Sequence, residues 1–572
     1  MEKFINRITI VTAVYIVALM VMINSFPLIY TASANLVFLL LVNLILNKSR
    51  NKTPRFLAII FIIIPFILVP VIWTAFAIVF RWDWLLISQT IVNGMKAKFI
   101  PSAFASIIRE YRVDIKSICE IFCVISIFFT ASAVGLLKPQ QKNGFIHGTV
   151  LGLLIVAVLS GLYILFDAKG QFKINPTFWS SINRKAGVCT DPNALGIFSF
   201  LAIALMLSVD CSNRLLKWGV IISYFILGII SGSRSFILGA VLLVLLNALS
   251  VLIQGRRILT IGLLLASFLS LISAISLINF NFISSVTWIP EAIKRTLISV
   301  HAVGFWDAMA SRLIFWKLSY AKFMQYPISG VGFNQFETQL ADFSSSIDVD
   351  LKGWIDNPNS FYLGILAEQG ILGLIAIVIG LLLVKWHLNA SSKLGKLSII
   401  IFFILLLFGP HFDFIEVSSL FGLLLGITFN IQLRPTCLKY CYALLFVIAL
   451  VTLYSASNLN AQISYGSFSR NGKIFVRSSG RIKLKCEESV KAIKLSVPGK
   501  KLSELPTNVT INALSNSQNV QLASEKPQTV QIQCLSKHQV IEILCNPTRV
   551  PNKEDLFRGV RPFCVAIEMQ NQ

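Results

Sequence analysis

Three groups of residues have the types and spacing to hold an anionic substrate or move a proton. Ser231-Gly232-Ser233-Arg234-Ser235 lies between two apolar runs. Gly and Ser permit a sharp reversal, and a loop this short fixes Arg234 at a membrane face. Such a guanidinium has two readings: an anchor that snorkels to water, or a fork for diphosphate oxygens. Arg312-Leu-Ile-Phe-Trp316 places a second guanidinium four residues from an indole, on one helix face. Tyr326-Pro327-Ile-Ser-Gly330-Val-Gly332-Phe333 follows and reads as a turn. The competing reading of this stretch is an ordinary surface helix and loop. Third comes Asp356-Asn357-Pro358-Asn359-Ser360-Phe361-Tyr362, running into an apolar stretch with Glu368, Gly370 and Gly373. An acid two turns inside an apolar helix is costly and points either to function or to pairing with another helix.

Other chemistries lack their signatures. There is no phosphate-binding Walker loop, dinucleotide fingerprint, HExxH or GxSxG elbow, so an ATP-driven pump is not expected. Cys119/Cys123 and Cys437/Cys441 have no histidine partners, and neither a metal nor a cofactor is expected.

The elements that must position these groups follow from composition. The chain has 572 residues but only 13% charged ones, against roughly 25% in soluble domains. Hydrophobic residues reach 55%, with 43 Phe, and mean hydropathy is +0.75. So few charges cannot cover a soluble protein of this size, which excludes a cytosolic enzyme and a disordered or collagenous chain. The fold expected is an all-α polytopic membrane protein of about 12–13 transmembrane helices, with a small C-terminal all-β extracytoplasmic domain. Apolar runs fall near 8–24, 31–47, 56–80, 117–137, 145–166, 193–209, 217–232, 235–253, 258–279, 361–384, 397–410, 417–432 and 440–455. The first reads as a signal anchor. Residues 81–116, with Trp82 and Trp84, read as an interfacial amphipathic helix or a pair of short spans.

Charge sets the orientation. Alternate connections hold 17 basic residues, from Lys3 and Arg7 to Arg434 and Lys439, against Glu2 and Asp210 alone. By the positive-inside rule that side is cytoplasmic, with the N-terminus, and the C-terminus lies outside. The +24 net charge is thus chiefly a topology signal, and nucleic acid is not implied as a partner.

The expected organisation is a polytopic domain over 1–456 containing an external loop at 280–360, then a periplasmic β domain over 457–572. The loop carries seven acids, six Lys/Arg and Trp288, Trp306, Trp316 and Trp354. A loop of that length is usually functional. A second external loop, 167–192, ends in Cys189-Thr-Asp-Pro-Asn193. In the tail, Lys473–Arg477, Arg481–Lys485, Ala492–Val497, Thr529–Gln533 and Val540–Cys545 alternate with period two and predict strands of a sandwich. Its Cys486, Cys534, Cys545 and Cys564 form up to two disulfides or remain buried thiols.

Taken in order, Ser-Gly-Ser-Arg between spans, Arg-x3-Trp, Pro-x2-Gly-x-Gly and Asn-Ser-Phe-Tyr-Leu-x4-Glu-x-Gly-x2-Gly resemble the O-antigen ligase and O-antigen polymerase superfamily. Asp191-Pro-Asn-Ala194 and Gly409-Pro-His411-x4-Glu416-Val extend the resemblance, which covers about 150–430. It implies a metal-independent membrane glycosyltransferase of the bacterial inner membrane, using an undecaprenyl-diphosphate-linked glycan presented among membrane lipids at the outer leaflet. The acceptor is lipid A-core for a ligase or a second glycan for a polymerase. Arg234 and Arg312 match the arginines implicated in binding the donor diphosphate. The family's loop histidine falls on Asn359, which can position a hydroxyl but cannot act as a general base. Asp356, Glu368 or His411 would then take the proton, or its removal is late, or activity is lost. Trp316, Trp354 and Asn193 complete the expected substrate contacts. A polysaccharide transporter or an envelope scaffold are the rival classes. The first would show repeated halves, which are absent from the sequence.

Overall fold

A computed structural model of the chain describes residues 2–25, 28–48, 53–81, 87–88, 91–92, 95–96, 112–166, 184–211, 213–252, 310–336, 357–390, 392–431 and 438–462. In the C-terminal region it describes 467–470, 473–476, 479–485, 490–496, 507–513, 516–522, 528–533, 538–546 and 565–569. Each apolar run except the one near 258–279, which lies outside the described residues, coincides with a helix. In chain order these are α1 (Glu2–Ser25), α2 (Leu28–Lys48), α3 (Thr53–Arg81), α4 (Arg112–Leu136), α5 (Pro139–Leu165) and α6 (Pro192–Ser208). Then come α7 (Arg214–Ile230), α8 (Arg234–Leu252), α9 (Ala310–Gln325), α10 (Phe361–His387), α11 (Lys393–Leu405), α12 (Ile415–Thr428) and α13 (Leu438–Gln462). Helix α9 falls inside the expected external loop.

Among the described residues four helices, α2, α4, α5 and α10, contain stretches long and apolar enough to cross a membrane, and the shorter apolar helices include α6 and α12. The expected interfacial segment lies mostly outside the described residues, as do Trp288, Trp306, Trp354 and Asp356.

Local chemistry sets several helix starts. Asp191 accepts from the Ala194 amide at 2.8 Å with Pro192 in the first helical position, which starts α6. Asn213 and Ser392 accept from Leu216 and Gly395 at 3.1 Å each, starting α7 and α11. Packing then relies on small residues. Gly148 and Gly152 let α5 approach the backbone of α1, and Gly422 and Gly426 let α12 approach α4. In lipid, where apolar side chains gain little from meeting each other, such close contact is what holds helices together. Helix α6 sits in the middle of the largest core and is buried from Ala194 to Met206 apart from Ile203.

Helices α11 and α12 form a short hairpin. Strands β1 (Leu388–Ala390) and β2 (Phe429–Ile431) pair antiparallel and close its base. Helix α11 has 13 residues, so the opposite tip, 406–414, lies about 20 Å from that base.

The C-terminal region forms two antiparallel sheets. One has the order β5 (Ser479–Lys485), β10 (His538–Asn546), β7 (Thr507–Ala513), β8 (Asn516–Leu522). The other runs β3 (Ser467–Arg470), β4 (Lys473–Val476), β11 (Val565–Met569), β6 (Val490–Ser496), β9 (Gln528–Gln533). Every segment expected as a strand overlaps one of these, with Arg477 and Val497 outside the described residues. Cys545 is in β10; Cys486, Cys534 and Cys564 lie outside the described residues.

Candidate functional site

A break in α10 joins that helix to the loop after α9. At Gly370 the backbone turns to φ 63° and ψ −160°. A continuous helix would bond the amides of Ile371 and Leu372 to the carbonyls of Ala367 and Glu368. Instead those amides donate to Pro327 and Ile328 carbonyls at 2.9 and 3.1 Å. The amides of Val331 and Gly332 donate to the Ala367 and Glu368 carbonyls at 3.0 and 2.8 Å. The loop after α9 therefore replaces two helical hydrogen bonds with four of its own. A helix broken in an apolar region requires that replacement. Gly330 and Gly370 both have positive φ, and a Cβ on either would overlap the other strand of this backbone contact. The Pro-x2-Gly-x-Gly and Glu-x-Gly spacings are the two halves of one joint.

Glu368 serves the same joint. Its carboxylate accepts from the Phe336 amide at 3.3 Å. Nearby Asn334, with left-handed φ 58°, donates to Glu120 of α4 at 2.7 Å. Glu368 thus anchors the loop that carries α9.

The joint sets the direction of α9, and α9 delivers two expected residues. Arg312 donates to the Phe408 carbonyl at 3.0 Å, and Trp316 packs against the Phe408 ring with centroids 6.4 Å apart. Trp316 Nε1 also donates to the Asn359 carbonyl at 3.4 Å. Asn359 adopts φ 54°, a conformation asparagine tolerates. Its amide hydrogen is taken by Asn357 Oδ1 at 2.8 Å, and its side chain donates to the Asn357 carbonyl at 3.3 Å. Asn359 thus shapes the entry to α10.

Phe408 belongs to the hairpin tip, which contains His411. The imidazole is buried and fills the space beside Gly409 that a side chain would need. Burial holds the imidazole far below its usual value, at about 3, and the Arg312 guanidinium pushes the same way. His411 is therefore neutral at physiological pH.

The Ser-Gly-Ser-Arg turn joins α7 to α8. Gly232 takes φ 68°, Ser231 Oγ donates to the Gly228 carbonyl at 2.7 Å, and the Ser233 amide donates to Ser231 Oγ at 3.2 Å. Arg234 is exposed at the head of α8. Five residues later Gly239 packs on Leu405, at the start of the hairpin tip. Arg312 is thereby bonded to the tip, and the helix headed by Arg234 packs on the residue just before it.

Arg184 is the residue sequence reasoning missed. Its guanidinium lies over Gly232, donates from Nε to the Ser231 carbonyl at 3.2 Å, and from Nη2 to Asn193 Oδ1 at 2.8 Å. A lone arginine in a polar loop carries no motif. The signal available was the glycine it covers. Asn193 thus has a defined partner, and its loop is held further by Glu416, whose Oε1 accepts from the Thr190 amide and hydroxyl at 2.8 and 2.7 Å.

No group of three or more His, Cys, Asp or Glu among the described residues could hold a metal ion. What the fold defines is a mostly helical protein, with helices apolar enough to cross a membrane, in which Arg312 is held on the 406–414 turn and Arg184 on the turn before Arg234. Residues 218–378 match the family model for O-antigen ligase, so the chain carries an O-antigen ligase-like region there. That interval is narrower than the 150–430 of the motif resemblance. It contains Arg234, Arg312, Trp316, Asn359 and Glu368, whereas Arg184, Asn193 and His411 lie beyond it. No curated protein and no solved structure matches the chain.

Proposed function

We propose that this protein is a glycosyltransferase that moves a glycan from an undecaprenyl-diphosphate carrier to an acceptor hydroxyl at the outer face of the bacterial inner membrane. The observation that supports this is Arg312 held on the Phe408 carbonyl, with Arg184 bonded to the turn that precedes Arg234 and the helix headed by Arg234 packed on Leu405. Breaking a sugar–phosphate bond develops negative charge on the diphosphate. Fixed guanidinium groups in a partly desolvated site stabilise that charge without ATP, because the donor already stores the driving force. Arg234, exposed, meets the diphosphate first, and Arg312, held by Phe408, receives it at the tip. Trp316 offers a face for stacking on a sugar.

The orientation rests on the charge bias of the connections, which places the Arg234 turn and α9 outside. The resident cofactor is none, since the lipid-linked donor supplies the leaving group. Membranes containing Arg234→Ala or Arg312→Ala protein, supplied with lipid-linked glycan, are expected to lose transfer while inserting normally. Full transfer by both variants overturns the donor site. The glycan profile of a deletion strain then separates the acceptors: loss of all polymer from lipid A-core marks a ligase, and a single repeat still attached marks a polymerase.

A further inference from the structure

Two pairs of helices are fastened to each other. Thr9 Oγ1 donates to the Gly144 carbonyl at 3.0 Å, and Gly148 and Gly152 bring α5 onto α1. In the other pair, Asn43 Nδ2 donates to the Phe129 carbonyl at 2.9 Å and joins α2 to α4. Between the pairs a cavity of about 240 Å³ remains, and it shares no residue with the candidate site. One end of it is closed. The Tyr15 hydroxyl donates to Asn35 Oδ1 at 2.9 Å, Asn35 Nδ2 donates to Ser126 Oγ at 3.1 Å, and the Tyr15 and Phe38 rings stack at 5.0 Å. From Tyr15 the lining runs to Ile8 on α1, about 10 Å along the helix, and from Phe38 to Leu46 on α2. Leu137 and Gln141 line the other end, where α4 passes into α5.

The surface of the cavity is almost wholly apolar. Water finds too few partners there, and an empty space forfeits dispersion contacts for the side chains around it. Val11 and Phe38 belong to the lining yet are exposed, so the cavity opens sideways between α1 and α2. Helices α2, α4 and α5 are long and apolar enough to cross a membrane, so lipid hydrocarbon surrounds that opening. Charge marks the end away from Tyr15. Exposed Lys138 directly follows the lining Leu137, and half-exposed Lys142 follows the lining Gln141. Residues 1–8, 46–55 and 137–145, at the ends of these helices, carry eight Lys or Arg against Glu2 alone.

We propose that this cavity seats one acyl chain of an anionic phospholipid, with the headgroup phosphate held by Lys138 and Lys142. The chain by itself gives no preference among lipids, because it exchanges one hydrocarbon setting for another. The headgroup does. A phosphate beside two ammonium groups at the end of a span is favoured, whereas a zwitterionic headgroup brings a cation of its own to the same lysines. The seated chain touches both helix pairs at once, so binding stabilises the bundle in which it is formed. Neither the site nor its occupant depends on the glycosyltransferase reading.

The test uses the full-length protein in a neutral detergent, with phosphatidylglycerol and phosphatidylcholine of identical acyl chains as probes. Native mass spectrometry counts the retained lipid, and thermal unfolding is followed in parallel. Phosphatidylglycerol is expected to bind about tenfold more tightly, and to raise the unfolding temperature further, than phosphatidylcholine. Lys138→Gln combined with Lys142→Gln is expected to erase that preference. Lys393→Gln combined with Lys396→Gln, at exposed positions on the same basic side, is expected to keep it. Ala133→Phe, which fills the cavity from α4, is expected to lose the retained lipid and its stabilisation. Val42→Phe fills it from α2 and reads the same seat should Ala133→Phe not fold. Equal binding of the two lipids by wild-type protein overturns the headgroup assignment. An undiminished preference in the Lys138 and Lys142 variant overturns the role of those lysines. Retention of phosphatidylglycerol by a folded cavity-filling variant overturns the acyl-chain seat.

Discussion

Arg184 shows what one side chain contributes at this site. It bridges the Ser231 carbonyl and Asn193 across two loops and covers Gly232. Arg184→Ala removes two charge-assisted bonds, expected to cost about 1.5–3 kcal/mol each before relaxation. Lysine cannot reproduce the fork, so Arg184→Lys is expected to restore little. Thermal unfolding in detergent and the transfer rate are the measurements, and both are expected to fall together, because Arg184 fixes the turn that presents Arg234. His411 makes a separate prediction on pH. A group with a depressed folded value contributes stability that is present above its unfolded value near 6.5 and lost as pH falls toward about 3. Wild-type protein is therefore expected to lose more stability than His411→Gln between those limits, read as the difference of the two unfolding curves. Motif spacing pointed to Arg234, Arg312 and His411 directly. It said nothing of Arg184, whose partners lie 9 and 47 residues away along the chain.

At the scale of elements, the joint between α10 and the loop before it governs where α9 points. Its glycines are not exchangeable. Gly330 and Gly370 need a left-handed backbone and would place a Cβ inside the facing strand of the joint. Gly330→Ala is expected to destabilise by at least about 1–3 kcal/mol, the cost of the backbone strain alone. Gly364→Ala, in the same helix, places its Cβ at an ordinary 3.4 Å from Pro358 and is the control, expected to be near neutral or slightly stabilising. Hydrogen exchange at the Ile371 and Leu372 amides reads the joint itself, since both donate to the inserted loop. The sequence marked Pro327, Gly330 and Gly332 as a turn and Gly370 as part of a span. It could not show that the turn enters the span, because a hydrogen bond between residues some forty positions apart leaves no periodicity. Glu368 changes meaning accordingly: its burial in an apolar helix holds a loop in place.

For the whole molecule, the charge bias assigns opposite sides to the β1–β2 base of the α11–α12 hairpin and to its tip. Single cysteines introduced at exposed Lys138 and at half-exposed Ser392, in a background lacking the native thiols, are expected to resist an impermeant reagent in intact cells. A cysteine at exposed Ile328 is expected to react. The reverse pattern would place the arginines on the cytoplasmic side and remove the donor. The tail carries no described residue of the site, so a chain ending at residue 456 is expected to retain transfer. A cut before Val565 removes β11, which joins β4 to β6 inside its sheet. That shorter deletion is expected to leave less soluble tail fragments than removal of the whole region, as seen by limited proteolysis.

What the sequence determined alone is what depends on each residue's own preference between hydrocarbon and water. Apolar runs became helices, alternating segments became strands, and the basic residues collected in alternate connections, because every position carries its share of that signal. The tertiary structure alone decided what depends on close approach between distant segments. Insertion of one loop into a broken helix, the covering of Gly232 by Arg184, and the meeting of Arg312 with the 406–414 turn all need distant segments in direct contact. Such contacts are set by how the helices pack, which no local pattern encodes.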